Sequence, residues 1–296
     1  MFEGFSDRPI ALPNGITLRT RIGGSGPAVL LLHGYPQTSA CWHAVAPRLV
    51  ARGFTVVAPD LRGYGGSDKP VASSDHATYS KRAMAADQVA LMNELGHARF
   101  FLAGHDRGGR VAHRAVLDHP EAIKRVAILD IVPTATMYAR TEKEFATGYY
   151  HWFFLIQPAP LPERLIGNDP DFYLRSKLAA WGRSGMEVYS DEAMAEYLTS
   201  FRDPACIAAT CEDYRAAATI DLVHDEADAQ TKIEMPLLVL WGSKGLVGKL
   251  YDVQALWRER AKDVRGKDLP AGHFLPEELP EETAGALADF FTASDV

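Results

Sequence analysis

Cysteine is scarce in this chain: 296 residues contain three, Cys41, Cys206 and Cys211. So few, and odd in number, exclude a disulfide framework and lead us to expect reduced thiols in a cytoplasmic setting. Cys206 and Cys211 have no His or Cys neighbours at metal-ligand spacing, so they read as small core or helix residues. No run of roughly 18 apolar residues occurs, so no membrane span is expected. The opening M-F-E-G-F-S-D-R lacks the basic-then-apolar order of a signal peptide. Positive charge is in deficit. The net charge of −7 argues against nucleic acid as a partner, and an anionic ligand would need cations gathered locally. Internal repeats and low-complexity tracts are also missing. What is present is 47% hydrophobic and 23% charged, enough for one large core with or without an insertion.

Short apolar runs alternate with helix-like segments. Val29–Leu32, Phe54–Ala58, Phe100–Ala103, Val126–Leu129 and Leu237–Trp241 have the pattern of parallel strands buried on both faces. Cys41–Val50, Tyr79–Leu95 and Arg107–Asp118 read as helices, with Gly96 and Pro120 as stop signals. Thr17–Arg21 reads as an antiparallel strand at the beginning, Lys267–Leu269 as the last strand and Pro280–Thr292 as the closing helix. Strand–helix alternation predicts an α/β fold with a mostly parallel, doubly wound sheet. The alternation fails from about Pro133 to Met235, where the sequence is aromatic-rich and helical in pattern. The expected organisation is a core of residues 1–133 and 236–296 with an inserted helical cap (lid) of residues 134–235. In open α/β sheets the carboxyl ends of the strands are where ligands bind, and the cap would cover them. A second helical domain unrelated to the site is the alternative. Gln157–Glu163, Q-P-A-P-L-P-E, reads as a rigid turn between cap helices.

Phe100–Arg110, F-F-L-A-G-H-D-R-G-G-R, reads as a strand, a glycine-flanked turn and a helix start. The turn Gly104-His105-Asp106-Arg107-Gly108 matches the G-x-nucleophile-x-G elbow of α/β-hydrolases, with a carboxylate where serine usually stands. A carboxylate is a poor acyl nucleophile. It displaces a leaving group from an sp³ carbon and leaves an alkyl ester on the enzyme. The alternative is an Asp that merely caps the following helix. Three further segments weigh against that. Leu30–Gln37, L-L-L-H-G-Y-P-Q, follows a strand and would place the Tyr35 amide in an oxyanion hole with the amide of Arg107; His33 is expected to bond loop backbone. Ala271–Glu278, A-G-H-F-L-P-E-E, offers His273 as general base, with an ordinary pKa near ~6.5. Val126–Thr134, V-A-I-L-D-I-V-P-T, ends a strand in Asp130, whose desolvation calls for a partner such as His273. The other usual place for the acid, Leu240–Gly245, L-W-G-S-K-G, holds no Asp, and Asp252 beyond it is the weaker alternative.

Together with D-L-R-G-Y-G-G-S-D (Asp60–Asp68), L-D-I-V-P-T, Y-H-W-F-F-L and C-E-D-Y-R-A, these residues resemble the α/β-hydrolase branch of dehalogenases and epoxide hydrolases. The fluoroacetate (haloacetate) dehalogenases are most similar, over nearly the whole chain. Arg107 and Arg110, three apart at a helix start, share a face beside the nucleophile. Guanidiniums bind carboxylates in bidentate fashion, so a small haloacid substrate fits, whereas a neutral haloalkane or epoxide would leave two cations unpaired. Arg114, one turn on, is expected to be structural. The resemblance further implies a halide pocket of His151, Trp152 and Tyr214, all hydrogen-bond donors. Without it, Tyr149–Phe154 reads as an aromatic cap core. Tyr214 is also placed like the proton-donating cap tyrosine of epoxide hydrolases, and Trp181 reads as pocket wall, gate or cap packing.

The activity implied is hydrolysis of a haloacetate's carbon–halogen bond through an Asp106 ester, needing no metal or organic cofactor. The resemblance also implies a homodimer. An epoxide hydrolase and a dehalogenase for chloro- or bromo-acids stay open, as does a hydrolase-fold protein that binds a ligand without turning it over.

Overall fold

The computed structural model describes residues 1–293; residues 294–296, the end of the expected core, lie outside it. Eight strands form one sheet in the order β1-β2-β4-β3-β5-β6-β7-β8. They are β1 Ser6–Ala11, β2 Thr17–Gly24, β3 Ala28–Leu32, β4 Thr55–Pro59, β5 Phe100–His105, β6 Ile123–Leu129, β7 Leu237–Gly242 and β8 Val264–Leu269. β1–β2 and β2–β4 pair antiparallel, and every other neighbouring pair is parallel. β3 to β6 are buried almost throughout, as unbroken apolar runs require. β1 is the element that the apolar pattern does not announce. Its sequence S-D-R-P-I-A is polar and carries Pro9, both compatible with an exposed edge strand.

Between the strands lie α1 Val45–Ala51, α2 Lys81–Glu94 and α3 Arg107–Asp118. The Cys41–Val50 expectation splits into a 3₁₀ turn, Ser39–Trp42, and α1. The helix expected from Tyr79 begins at Lys81, because the Ser80 hydroxyl accepts from the Ala83 amide as its N-cap. From β6 to β7 the chain holds no strand. It runs through α4 Thr134–Ala139, α5 Lys143–Gly148, α6 His151–Phe154, α7 Leu161–Asn168, α8 Pro170–Trp181, α9 Asp191–Phe201, α10 Pro204–Ala218 and α11 Ile220–Ala227. After β7 come α12 Leu246–Leu250, α13 Val253–Arg258, α14 Leu275–Glu278 and α15 Pro280–Thr292. α1 packs on α15, and α2 on α3. Among the described residues no helix is long and apolar enough to cross a membrane.

Register decides where the chemistry can sit. Leu32 pairs with Gly104, His105 with Leu129, Leu129 with Leu240 and Gly242 with Leu269. The loops that leave β3, β5, β6, β7 and β8 therefore emerge along one edge of the sheet. The winding reverses at β3, since β4 lies on one side of it and β5 on the other. That switch point is where an open α/β sheet leaves a crevice.

Candidate active site

Asp106 stands between β5 and α3 with φ +47° and ψ −114°, a conformation that L-residues adopt at a cost of about 1–3 kcal/mol. The flanking glycines make the turn possible. A Cβ at Gly104 would strike the carbonyl of Gly108, and one at Gly108 would strike the carbonyls of Leu32 and His33. The elbow therefore packs directly on the end of β3. There the Tyr35 amide donates to Asp106 Oδ1 at 3.0 Å. His33 holds this loop in place: Nδ1 bonds Gly34 O at 3.0 Å, and Nε2 accepts from the Leu61 amide at 2.9 Å.

His273 lies on the loop after β8, its Nε2 3.6 Å from Asp106 Oδ2 and its Nδ1 2.6 Å from Asp130 Oδ2. Asp130 follows β6 with φ +53°, and its other oxygen accepts from the Gly242 amide at 2.8 Å. Asp252 is exposed and caps α13 instead. All three triad groups are buried. Burial opposes charge on Asp106, but the nearby His273 imidazole, then Arg107, outweigh it and hold the carboxyl well below the usual carboxylate range. Burial likewise opposes charge on His273, yet Asp106 and Asp130 push its imidazole up to about 9. Burial moves Asp130 upward, against the pull of His273.

The two arginines are treated differently. Arg107 is fully buried, and its Nε and Nη2 donate to Asp213 Oδ2 and Oδ1 at 3.1 and 2.6 Å. Only its Nη1 lacks a partner. Asp213, on α10, also accepts from the Tyr64 hydroxyl at 2.7 Å and from Lys81 Nζ. Of the two arginines expected to face a substrate carboxylate, Arg107 is thus matched inside the protein, by the carboxylate one residue before Tyr214. Arg110 donates to Val132 O, to Thr134 Oγ1 and to Met137 Sδ, and its Nε has no partner. Burial, then repulsion by Arg107, brings it down to about 10, still a cation at neutral pH.

Above the two guanidiniums lies a wall of rings. Arg107 Cζ is 4.1 Å from the Tyr214 centroid, and Arg110 Cζ is 4.6 Å from that of Trp152. The His151 and Trp152 rings sit 5.4 and 6.2 Å from the Tyr214 ring. The Tyr214 hydroxyl and His151 Nδ1 are buried without a partner. Burial, then Lys177, keeps His151 well below its usual pKa and therefore neutral. Trp181 packs 4.3 Å from His151, and its carbonyl accepts from the His273 amide at 3.0 Å. The Tyr149 hydroxyl lies 3.4 Å from His273 Nδ1. All of these site side chains are buried. A large surface cleft, between Glu142, Gly148, Arg183, Lys244 and Lys249, contains none of these residues. Arg114 pairs with Asp118 and Asp228 away from the site. Among the described residues no group of three or more His, Cys, Asp or Glu is arranged to hold a metal ion.

Sequence reasoning missed three neighbours. Asp213 carries no motif beyond its place before Tyr214. Lys177, on α8, is buried among the rings of Tyr150, Tyr173 and Trp181, with Nζ 3.6 Å from the Tyr150 centroid, and burial pushes its amine down to about 7. Glu277, on α14, is buried and accepts from Tyr197 of α9 at 2.8 Å and from Gln37 of the Tyr35 loop. Burial pushes its carboxyl up from 4.5 to about 8, against the bonds from Tyr197 and Gln37. A raised carboxyl stabilises the fold fully below the unfolded pKa and loses that stabilisation as pH climbs through the folded one. Glu277→Gln, which does not titrate, is therefore expected to gain stability relative to wild type between pH 5 and 8. Urea denaturation at both ends of that window checks this, and a difference that does not change with pH refutes it.

A family model described as the alpha/beta hydrolase fold matches residues 27–280. The chain is 48% identical to a fluoroacetate dehalogenase of a Burkholderia species, over 99% of this chain and 95% of that protein. It is 34% identical to a soluble epoxide hydrolase of Corynebacterium sp. (strain C12), over 95% and 96% of the two chains. A crystal structure from Nostoc sp. PCC 7120, assigned to the α/β hydrolases, superposes with a TM-score of 0.97 at 55% identity, covering 99% of this chain and 100% of that one.

Proposed function

The chain belongs to the α/β-hydrolase family, and from that premise we propose that it is a hydrolytic dehalogenase of haloacetates, converting fluoroacetate to glycolate and fluoride. Residues 134–235 act as the cap over a core of 1–133 and 236–296. The reading places the enzyme in the cytoplasm, where its three free, buried thiols stay reduced, and as a homodimer.

One observation carries the reading: Arg110, a buried cation beside the nucleophile with no carboxylate partner among the described residues. A buried charge without a counter-charge is costly unless the ligand supplies one. A substrate carboxylate would meet Arg110 and the free Nη1 of Arg107. That fixes carbon two in front of Asp106 Oδ2, while Oδ1 stays on the Tyr35 amide. Oδ2 forms the bond to carbon two, and the carbon–fluorine bond breaks with its electron pair leaving on fluoride. Configuration at a substituted carbon two inverts. Fluoride is strongly hydrated, so donors must replace its water; on this reading His151, Trp152 and Tyr214 do so. Donors to a charged acceptor contribute roughly 1.5–3 kcal/mol each.

The second half returns the enzyme. His273 takes a proton from water, whose oxygen attacks the carbonyl carbon of the ester. Charge develops on Oδ1, at the amides of Tyr35 and Arg107. The bond between that carbon and the alkyl oxygen breaks, the alkyl oxygen takes the proton held by His273 and leaves as the hydroxyl of glycolate, and water's other proton passes to solvent as Asp106 becomes a carboxylate again. Esterification itself prepares the base. It removes the Asp106 charge that helps hold His273 at about 9, so the imidazole loses its proton more readily in the intermediate.

The epoxide-hydrolase reading is favoured by the 34% identity to a soluble epoxide hydrolase and by the unpartnered Tyr214 hydroxyl, which is able to protonate an epoxide oxygen. Wild-type enzyme separates the two. With a fluoride electrode, fluoroacetate is expected to turn over, and neutral fluoroacetamide to be slower by at least about 100-fold, the loss of a roughly 3 kcal/mol charge-assisted pair. Styrene oxide is expected to give little diol. Diol formation that outruns fluoride release overturns the haloacetate assignment.

A further inference from the structure

The five residues after His273 end in a group that the chemistry above does not use. Glu278, on α14, is buried, and its carboxyl oxygens accept four hydrogen bonds. Oε1 takes the Phe274 amide at 3.0 Å. Oε2 takes the Gly272 amide at 2.9 Å, the Arg183 amide at 3.0 Å and the Ser184 hydroxyl at 2.8 Å. Gly272 and Phe274 are the two neighbours of His273 in the chain. Arg183 and Ser184 follow Trp181, whose carbonyl accepts from the His273 amide. The remaining backbone group of His273, its carbonyl, is bonded by His105 Nε2 at 2.7 Å. The histidine loop is thus pinned on three sides, and Glu278 makes two of its bonds on one side and ties the other two to the chain segment beyond Trp181.

Nothing comparable holds Asp106. The nucleophile is set by β5, by the start of α3 and by the Tyr35 amide, and none of the four Glu278 hydrogen bonds goes to these. We propose that Glu278 is a positioning residue for the hydrolytic half of the reaction: it sets the loop that aims His273 at the water and leaves alkylation untouched. The inference rests on the Asp106-ester reading. A carboxyl group is needed because all four of its partners donate. Glutamine in the same place keeps one acceptor and turns an amide N–H toward donors on the other side, so the loop must shift. Displacement of a catalytic group by about 1 Å costs on the order of 100-fold in rate.

The test is rapid-quench kinetics with fluoroacetate on full-length Glu278→Gln, with His273→Asn as the control that removes the base. The expected result is a first turnover of fluoride within about twofold of wild type and a steady state slower by about 10- to 100-fold. Intact-mass measurement should then find a carboxymethyl ester on Asp106. A role in folding alone would lower both phases equally through the fraction of active enzyme. Equal slowing of the two phases, or no ester in Glu278→Gln while His273→Asn shows one, overturns the proposal. Ester in neither variant overturns the covalent reading itself, and the proposal with it. Should Glu278→Gln fail to fold, Glu278→Asp keeps the carboxylate but is one methylene short of spanning both edges of the loop. It is then expected to accumulate ester to an intermediate level, and wild-type partitioning in it counts against the assignment.

Discussion

Asp106→Asn is expected to lose turnover of fluoroacetate by at least about 10⁴-fold, because an amide oxygen does not displace fluoride from carbon. The variant should still fold. Asparagine tolerates positive φ better than most residues, and its side-chain oxygen accepts the Tyr35 amide as Oδ1 does now. A second readout needs no activity. Asp106 is one of two carboxylates that raise His273 to about 9, so the imidazole of Asp106→Asn should titrate lower, followed by NMR. The wild-type counterpart is single turnover in oxygen-18 water. The product oxygen should come unlabelled from Asp106, and label should enter Asp106 over repeated cycles. Labelled first-turnover product, or residual fluoride release by Asp106→Asn near the wild-type rate, places the attack on water rather than on the side chain.

The amino-acid pattern announced the sheet and its chemical edge better than it announced electrostatic detail. Strands β3 to β7 are apolar on both faces, so each appears as an unbroken run, and the loops leaving them inherit their places from chain order. Asp106 and Asp130 end such runs, and both take positive φ at those ends, which residue identity alone does not disclose. β1 was illegible because an exposed edge strand has no buried face to leave a period. Arg107 and Arg110 look equivalent in sequence. Their difference comes from Asp213, 106 positions away, which pairs with one and not the other. Long-range pairing of this kind leaves no local trace. Glu278 was hidden differently: it lies in the quoted motif around His273, but its significance is four hydrogen bonds, two of them to a segment more than ninety positions away.

The count of charges bears on the substrate class proposed above. With Arg107 matched by Asp213, the site holds one unmatched cation next to an ionised nucleophile. One substrate carboxylate balances Arg110, and a second would bring an uncompensated anion into a buried space beside Asp106. Small monocarboxylates are therefore the class that the charge arrangement accommodates.

His273→Asn is expected to release about one equivalent of fluoride per active site and then to slow by roughly 10²–10⁴-fold, the usual contribution of general base catalysis. The first phase needs Asp106 as a carboxylate and Arg110, at about 10, as a cation. In wild type both conditions hold across the working pH range, since the Asp106 carboxyl lies far below its usual value, and the first turnover should be flat from pH 6 to 9. The wild-type steady state should instead fall toward acid, because protonated His273 cannot accept a proton from water, and its midpoint should lie below 9 once the ester has removed the Asp106 charge. In His273→Asn that limb disappears with its imidazole. The variant also strips Asp106 of its largest source of stabilisation, leaving Arg107 and the Tyr35 amide against burial. Its single turnover should therefore gain an acid limb of its own at lower pH. Asp130, now without the imidazole, keeps the Gly242 amide and should move further upward. Stopped-flow fluoride release across pH, with intact-mass detection of the ester, reads all of this in one series. A steady-state acid limb that survives in His273→Asn, or the absence of any burst, removes His273 from the hydrolytic step.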